Sequence, residues 1–248
     1  MNRTTTYLLI DISNSFTKLA VASSKRILRP SRIPTRQLTS TYLRRFTKRR
    51  KIDMFVVCSV VPKKNREVRL AAGKTRTLWL GPGLKLGVGI NYPAPKTIGA
   101  DRLANAAAVA ALYGCPAIVV DFGTAVTFDI VSGERKYVGG VIAPGLEAMT
   151  NFLYQRTALL PKLSLKEPRS AIGRSTVQAM MAGAIFGYRG LVKELIARIR
   201  SEMRSRSKIH IVATGGYAKL IAARLPEIQA VHPNLTLEGL RIAANLNR

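Results

Sequence analysis

Acidic residues are what this chain has least of. Its 13 Asp and Glu stand against 40 Lys and Arg, a net charge of +27 over 248 residues. An excess of that size draws anions: nucleic acid, an anionic membrane, or small phosphorylated molecules. Residues 1–115 hold 22 Lys/Arg against 4 Asp/Glu, and residues 116–248 hold 18 against 9. The densest run is RRFTKRRK, Arg44–Lys51. Only Tyr42 and Phe46 lie near it, so a base-stacking surface is not indicated, and a solvated basic face explains the run as well. Cysteine is nearly missing too. Cys58 and Cys115 are isolated, which excludes a cysteine metal cluster or redox pair and fits two small buried residues in a reducing cytoplasm. No apolar run is long enough to span a bilayer: residues 104–120, the most apolar, are broken by Asn105, Gly114 and Pro116. The start, MNRTTTYLLID, lacks the hydrophobic region and cleavage site of an export signal, so the expected location is cytoplasmic.

What remains of the acids is informative. Only five aspartates occur, Asp11, Asp53, Asp101, Asp121 and Asp129, and three of them sit in a repeated unit. Residues 7–23 read YLLIDISNSFTKLAVAS and residues 117–133 read AIVVDFGTAVTFDIVSG. Aligned without a gap, Asp11 falls on Asp121, Ser13 on Gly123, Asn14 on Thr124 and Thr17 on Thr127. In each copy an apolar run fits a buried strand, small polar residues fit a tight turn, and a second β-rich run follows. Two related domains are expected, residues 1–115 and 116–248, facing each other across a cleft. With 47% hydrophobic residues the chain can build substantial cores.

Strands alternate with helices along both halves, which indicates an α/β architecture with mixed sheets. In the first half, helices are expected near 38–50, 63–76 and 100–113, with strands at 51–62 and 77–81. The Gly/Pro-rich segment 81–99 reads as the longest irregular stretch, and loops of that length in compact domains tend to be functional. In the second half, strands are expected at 117–131, 137–145 and 208–216. Helices are expected at 146–157, 174–204, 217–224 and 235–247.

A turn of Gly, Ser, Thr and Asn leaves backbone N–H groups reachable by phosphate oxygens, and a strand-end carboxylate can hold Mg²⁺ directly or through water. Taken alone, DISNS is equally well a structural turn. The second copy, DFGTA, and the Gly-Gly turn after IHIVAT make three strand-end sites of the kind a nucleotide uses. Gly215 and Gly216 would let a backbone pass close to an adenosine, although that turn also suits a simple helix start. Asp101, in TIGADRL, either complements a helix dipole or serves as a general base for phosphoryl transfer. Arg102 would neutralise a substrate carboxylate or phosphate. His210 and His232 read as core or surface residues. The sequence contains no nucleophile triad and no P-loop.

Together the strings DISNS, NYPAPKTIGADR, DFGTAVTFD, GGVIAPG, TALLP, GRSTVQAMMAGAIFGYRG, ATGGYA and LTLEGL closely resemble the type III pantothenate kinases, from about residue 7 to 245. That family has two duplicated ribonuclease H-like domains of the actin-like ATPase kind. The resemblance implies ATP-dependent phosphorylation of pantothenate, the first committed step of coenzyme A synthesis. It implies that Asp11, Ile12, Ser13, Asn14, Ser15, Phe16, Thr17 and Lys18 bind the ATP phosphates and that Asp101 accepts the proton. Tyr92, Gly99, Ala100, Asp101 and Arg102 would contact pantothenate, with Thr176 reaching it across a homodimer interface. Thr124 would contact ATP, and Asp121 would hold a monovalent cation, K⁺ or NH₄⁺, beside the Mg²⁺ of the nucleotide. The family has Gly then Asn-Thr in the first turn, where this chain has Ser13, Asn14 and Ser15. If position 13 required a positive φ, serine would cost on the order of 1 kcal/mol there. Two other readings stand beside this one: a transcription accessory or nucleic-acid-binding protein on a kinase scaffold, and a related kinase with another hydroxylated substrate.

Overall fold

The two apolar runs that end in aspartate become the first strands of two sheets. A computed structural model describes residues 5–248. Its elements run β1 (Tyr7–Ile12), β2 (Phe16–Ala22), β3 (Ser31–Pro34), α1 (Ser40–Thr47), β4 (Met54–Ser59), α2 (Asn65–Ala72), β5 (Arg76–Trp79) and β6 (Gly89–Ile90). Next come α3 (Ala100–Leu112), β7 (Ala117–Phe122), β8 (Ala125–Val131), β9 (Lys136–Pro144), α4 (Leu146–Arg156), α5 (Thr176–Ala182) and α6 (Tyr188–Met203). The chain finishes with β10 (His210–Gly215), α7 (Ala218–Ala222), β11 (Ala230–Val231) and α8 (Leu235–Leu246).

Contacts divide the chain into two units. The first takes the residues up to Gly114 together with Arg135–Val138 and Asn234–Arg248; the second takes Cys115–Glu134 and Gly139–Pro233. The same topology is built twice. The first sheet has the order β3-β2-β1-β4-β5, and the second has β9-β8-β7-β10-β11 with β6 added beyond β9. In each, the opening hairpin is antiparallel and the following strands join in parallel. This is the mixed-sheet duplication expected from the repeated hairpin.

Alternation along β1 assigns its two faces. Leu8, Ile10 and Ile12 bury with Phe55 and Val57 under Leu43 of α1 and Val68 of α2. Tyr7, Leu9 and Asp11 take the opposite face, where the Tyr7 hydroxyl donates to Asn245 of α8 at 3.0 Å. Helix α8 packs so closely on α3 that a Cβ at Gly239 would overlap the Ala104 carbonyl. Beside that crossing, the Thr236 hydroxyl donates to the buried Asn105 side chain at 2.9 Å. Thus Ala-rich α3 and Gly239 are matched halves of one helix pair. In the second unit Ile118, Val120, Phe122, Phe128 and Ile211 form the core with Ile185, Tyr188, Val192 and Ile196.

Three segments differ from expectation. The helix expected at 63–76 opens with a 3₁₀ turn at Pro62–Lys64 and stops at Ala72, because Gly73 turns to φ +56°. The single helix expected over 174–204 is interrupted by a π-helical turn at Gly183–Gly187. The segment 81–99 is partly ordered, since Gly89 and Ile90 pair with Lys136 and Tyr137. Of the cysteines, Cys58 is buried and Cys115 half-buried.

Candidate active site

The first turn is held from behind by hydroxyls. Asp11 pairs across the hairpin with Lys18 and Ile12 with Thr17, leaving four residues in the turn, which closes through Ser13 N–H to Phe16 O at 3.2 Å. The Ser13 hydroxyl donates to the Asp11 carboxylate at 3.2 Å, and Asp11 itself is nearly buried. Thr35, just after β3, does most of the bracing. Its hydroxyl donates to Ser13 O at 2.6 Å and lies 3.0 Å from the Thr17 hydroxyl. Its N–H donates to Ser15 O at 3.0 Å. The carbonyls of Ser13, Ser15 and Phe16 are therefore all committed to internal donors. A turn arranged this way offers an approaching phosphate less negative charge than one with outward carbonyls. Ser13 is not among the residues with positive φ, so the strain considered for serine at this position does not arise. Arg32 stacks its guanidinium 3.5 Å over the exposed Phe16 ring and adds a cation at the turn's edge.

The second turn is braced by backbone. Asp121 pairs with Thr127 and Phe122 with Val126, so only three residues remain between the strands. The gapless alignment therefore holds through the turn's start and slips by one in the second strand: Val126, not Thr127, occupies the place of Thr17. Gly145, the N-cap of α4, donates its N–H to Thr124 O at 3.1 Å, and a Cβ there would lie 2.7 Å from Gly123 O. Gly215 has φ +94°, and a Cβ on it would meet Asp121 Oδ1 and the Phe122 backbone at 2.6 Å. Its glycine requirement is thus internal, whereas a Cβ at Gly216 faces open space. Thr214 sits opposite Asp121 in the parallel register, and its buried hydroxyl has no hydrogen-bond partner among the described residues.

Asp101 occupies the first turn of α3, after the N-cap Gly99. Its carboxylate folds back over the helix start, accepting from Arg102 N–H at 2.9 Å. A Cβ at Gly99 would come within 2.5 Å of Asp101 Oδ1, so that glycine leaves room for the carboxylate. Burial raises the Asp101 pKa above the usual aspartate value, against the opposing pull of the Arg102 amide and guanidinium. The Arg102 guanidinium lies 5.7 Å over Tyr137, and Tyr92 meets the same ring edge-on at 6.1 Å. Tyr92, Gly99, Ala100, Asp101 and Arg102 therefore lie in the first unit, with Tyr92 and Arg102 both against Tyr137. Tyr137 is a functional-site residue that the sequence marks only weakly, as the aromatic that opens the run YVGGV. Thr176 is the exposed first residue of α5, capped by Ser175, whose hydroxyl accepts from Gln178 N–H at 3.3 Å. Gly173 fits against the Ala179 backbone, so much of GRSTVQ builds that helix start.

Residues 7–198 match the family model described as type III pantothenate kinase. A relative of that name from Akkermansia muciniphila is 50% identical, covering 98% of this chain and 99% of its own. Another, from Methylacidiphilum infernorum, is 42% identical over 96% of this chain and 88% of its own. Among solved structures, a conserved Campylobacter jejuni protein named for the Baf family of transcriptional activators superposes with TM-score 0.59 at 21% identity, covering 97% of this chain and 100% of that one. A polyphosphate/ATP-glucomannokinase from Arthrobacter sp. strain KM superposes with TM-score 0.52 at 14% identity, over 98% and 100%. At these identities the two structures speak for the fold: a pair of ribonuclease H-like domains of the actin-like ATPase kind.

Proposed function

The chain belongs to the type III pantothenate kinases, and on that premise we propose how its residues share the work. The reaction is ATP-dependent phosphorylation of pantothenate in coenzyme A synthesis. Phosphoryl transfer asks mainly for positioning and charge neutralisation. Asp101 is the residue we assign to the proton of the pantothenate hydroxyl. Its burial-raised pKa brings it nearer the working pH than an exposed aspartate, which suits a general base. Arg102, Tyr92 and the backbone of Gly99 and Ala100 hold the substrate, with Thr176 of a partner copy completing its site in a homodimer. Residues Asp11 to Lys18 cradle the phosphates, and Thr124, Gly215 and Gly216 contact the nucleotide.

The donors available suit hard cations. Among the described residues no three His, Cys, Asp or Glu side chains gather to hold a metal. Mg²⁺ needs no such cage, because it keeps waters and binds through one or two carboxylates plus substrate phosphates. Asp11, nearly buried beside the first turn, fits that role. Asp121 fits a monovalent cation, K⁺ or NH₄⁺, and the unpartnered Thr214 hydroxyl on the neighbouring strand supports an oxygen-ligand site there. When bound, these ions neutralise phosphate charge. A cytoplasmic location completes the reading; among the described residues no helix is long and apolar enough to cross a membrane.

The observation that carries this assignment is the placement of Asp101: half-buried at a helix start, beside Arg102 and the Tyr92–Tyr137 pair. The test is ADP release coupled to a reporter, with pantothenate as acceptor and with K⁺ present or replaced by Na⁺. ADP release dependent on both pantothenate and K⁺ is expected. Pantothenate-independent ATP turnover, or equal rates with other hydroxy acids, would count against it.

A further inference from the structure

A large part of the basic excess falls in one stretch of the first unit, around α1 and α2. Between residues 40 and 76 stand twelve Lys/Arg and two acids, Asp53 and Glu67. Both acids are engaged by backbone: Asp53 accepts from Thr6 N–H at 2.9 Å and Glu67 from Ser40 N–H at 2.7 Å. Helices α1 and α2 lie side by side, with Leu43 and Val68 turned into the core and the Arg44 guanidinium donating to Leu70 O at 2.7 Å. Their outer surface exposes Arg44, Arg45, Lys48, Arg66, Arg69 and Lys74. Helix α6 of the second unit differs. It interleaves its cations with Glu194 and Glu202, and Arg198 pairs with Glu194 at 2.6 Å. Its four cations face two acids within the helix, whereas the four of α1 and α2 face Glu67 alone.

We infer that the α1–α2 face is a docking surface for double-stranded DNA, bound through its phosphates without sequence readout. Two adjacent eight-residue helices give a patch about 12 Å long and about 20 Å across, wide enough to meet several phosphates of a duplex. A membrane fits less well, since an interfacial helix needs apolar residues on its exposed side and here only Leu70 is both large, apolar and exposed. Single strands need stacking platforms, but Phe46 is covered by Arg50 at 5.3 Å and Trp79 by Arg69 at 5.2 Å. Recognition of an RNA duplex leans on 2′-hydroxyl contacts. Two nearby neutral hydroxyls are already engaged: Thr47 donates to Leu43 O, and Ser59 to Asn65. What remains is a field of point charges, which matches the regular phosphate array of B-DNA. These helices cover the sheet face opposite the one carrying Asp11, so this surface is independent of the kinase assignment.

The test titrates the full chain with a mixed-sequence DNA duplex of about 20 bp between about 50 and 200 mM salt, by fluorescence anisotropy. A plot of log affinity against log salt should have a slope of about −4 or steeper, one unit for each phosphate neutralised. Replacing Arg45, Lys48, Arg66 and Lys74 together by Glu should weaken binding at least about tenfold and flatten the slope by about 3 to 4, leaving ADP release with pantothenate unchanged. A matching reversal of Lys193, Arg200, Arg206 and Lys208 should leave duplex affinity within about threefold, and circular dichroism confirms that each variant is folded. Equal loss from both sets, no binding at about 100 mM salt, or tighter binding to an RNA duplex or to anionic vesicles would each overturn the inference.

Discussion

The two hairpins share a topology and differ in what stands behind the turn. In the β1–β2 hairpin, a four-residue turn rests on the hydroxyls of Thr35 and Thr17. In the β7–β8 hairpin, a three-residue turn is pressed between the backbones of Gly145 and Gly215. The first arrangement draws carbonyls inward and leaves a surface that suits anionic oxygens. The second packs backbone tightly around Asp121 and leaves little freedom for the carboxylate. Under the proposed assignment, one copy of the duplicated element serves phosphate and the other a cation, with the strand order of the two sheets kept.

Glycine substitutions should break this comparison most severely. Gly215→Ala combines a positive φ with overlap at 2.6 Å against Asp121 and Phe122. It should destabilise the second unit by about 3 kcal/mol or more in urea unfolding and abolish K⁺ dependence. Next in size, Thr35→Val removes two hydroxyl contacts from the first turn. A loss of about 1–3 kcal/mol is expected, together with a rise in KM for ATP and little change in KM for pantothenate. Thr214→Val sharpens the cation side of the argument. With its hydroxyl unpartnered and buried, the substitution should be neutral or stabilising by up to about 1 kcal/mol, while raising the K⁺ concentration needed for half-maximal activity. The smallest effects should come from Ser13→Gly and Gly123→Ala, since neither position has a positive φ and a Cβ at Gly123 meets nothing closer than 3.4 Å. Each should change stability by less than about 1 kcal/mol. A large gain in ATP affinity on Ser13→Gly would mean that serine does obstruct the phosphate turn.

Much of this was legible in the chain because strand and helix periodicities are local. The apolar runs ending in Asp11 and Asp121, the helix behind GADR and the Gly-Gly turn after β10 all follow from neighbouring residues. What could not be read depended on distant partners. Thr17 and Thr127 align in sequence, yet hydrogen-bond register places Val126 where Thr17 stands, because one turn is a residue shorter. Thr35 follows a proline in an unremarkable basic segment, and only the fold carries it under the first turn. Helix α8 closes the chain, yet it packs with α3 of the first unit through Gly239 and Ala104, a match between residues 135 positions apart. Tyr137 joins Tyr92 and Arg102 only because β9 begins beside β6.

Asp101 is assigned to the proton and not to the nucleotide, and its replacement by Asn is the sharpest probe of that division of roles. Because burial raises its pKa, the folded state favours the protonated form. The carboxylate therefore costs stability progressively as pH rises from the unfolded aspartate value through the raised one. Asp101→Asn should accordingly melt at the same or a higher temperature near neutral pH. It should also lose the acid limb of the kcat/KM profile, which in the native enzyme is expected above the usual aspartate range because burial raises the Asp101 pKa. The decisive comparison is turnover against ATP affinity: a fall in kcat of about 100-fold or more is expected, with ATP binding changed by no more than about twofold. Parallel loss of both, or near-normal turnover in the variant, would contradict the assignment.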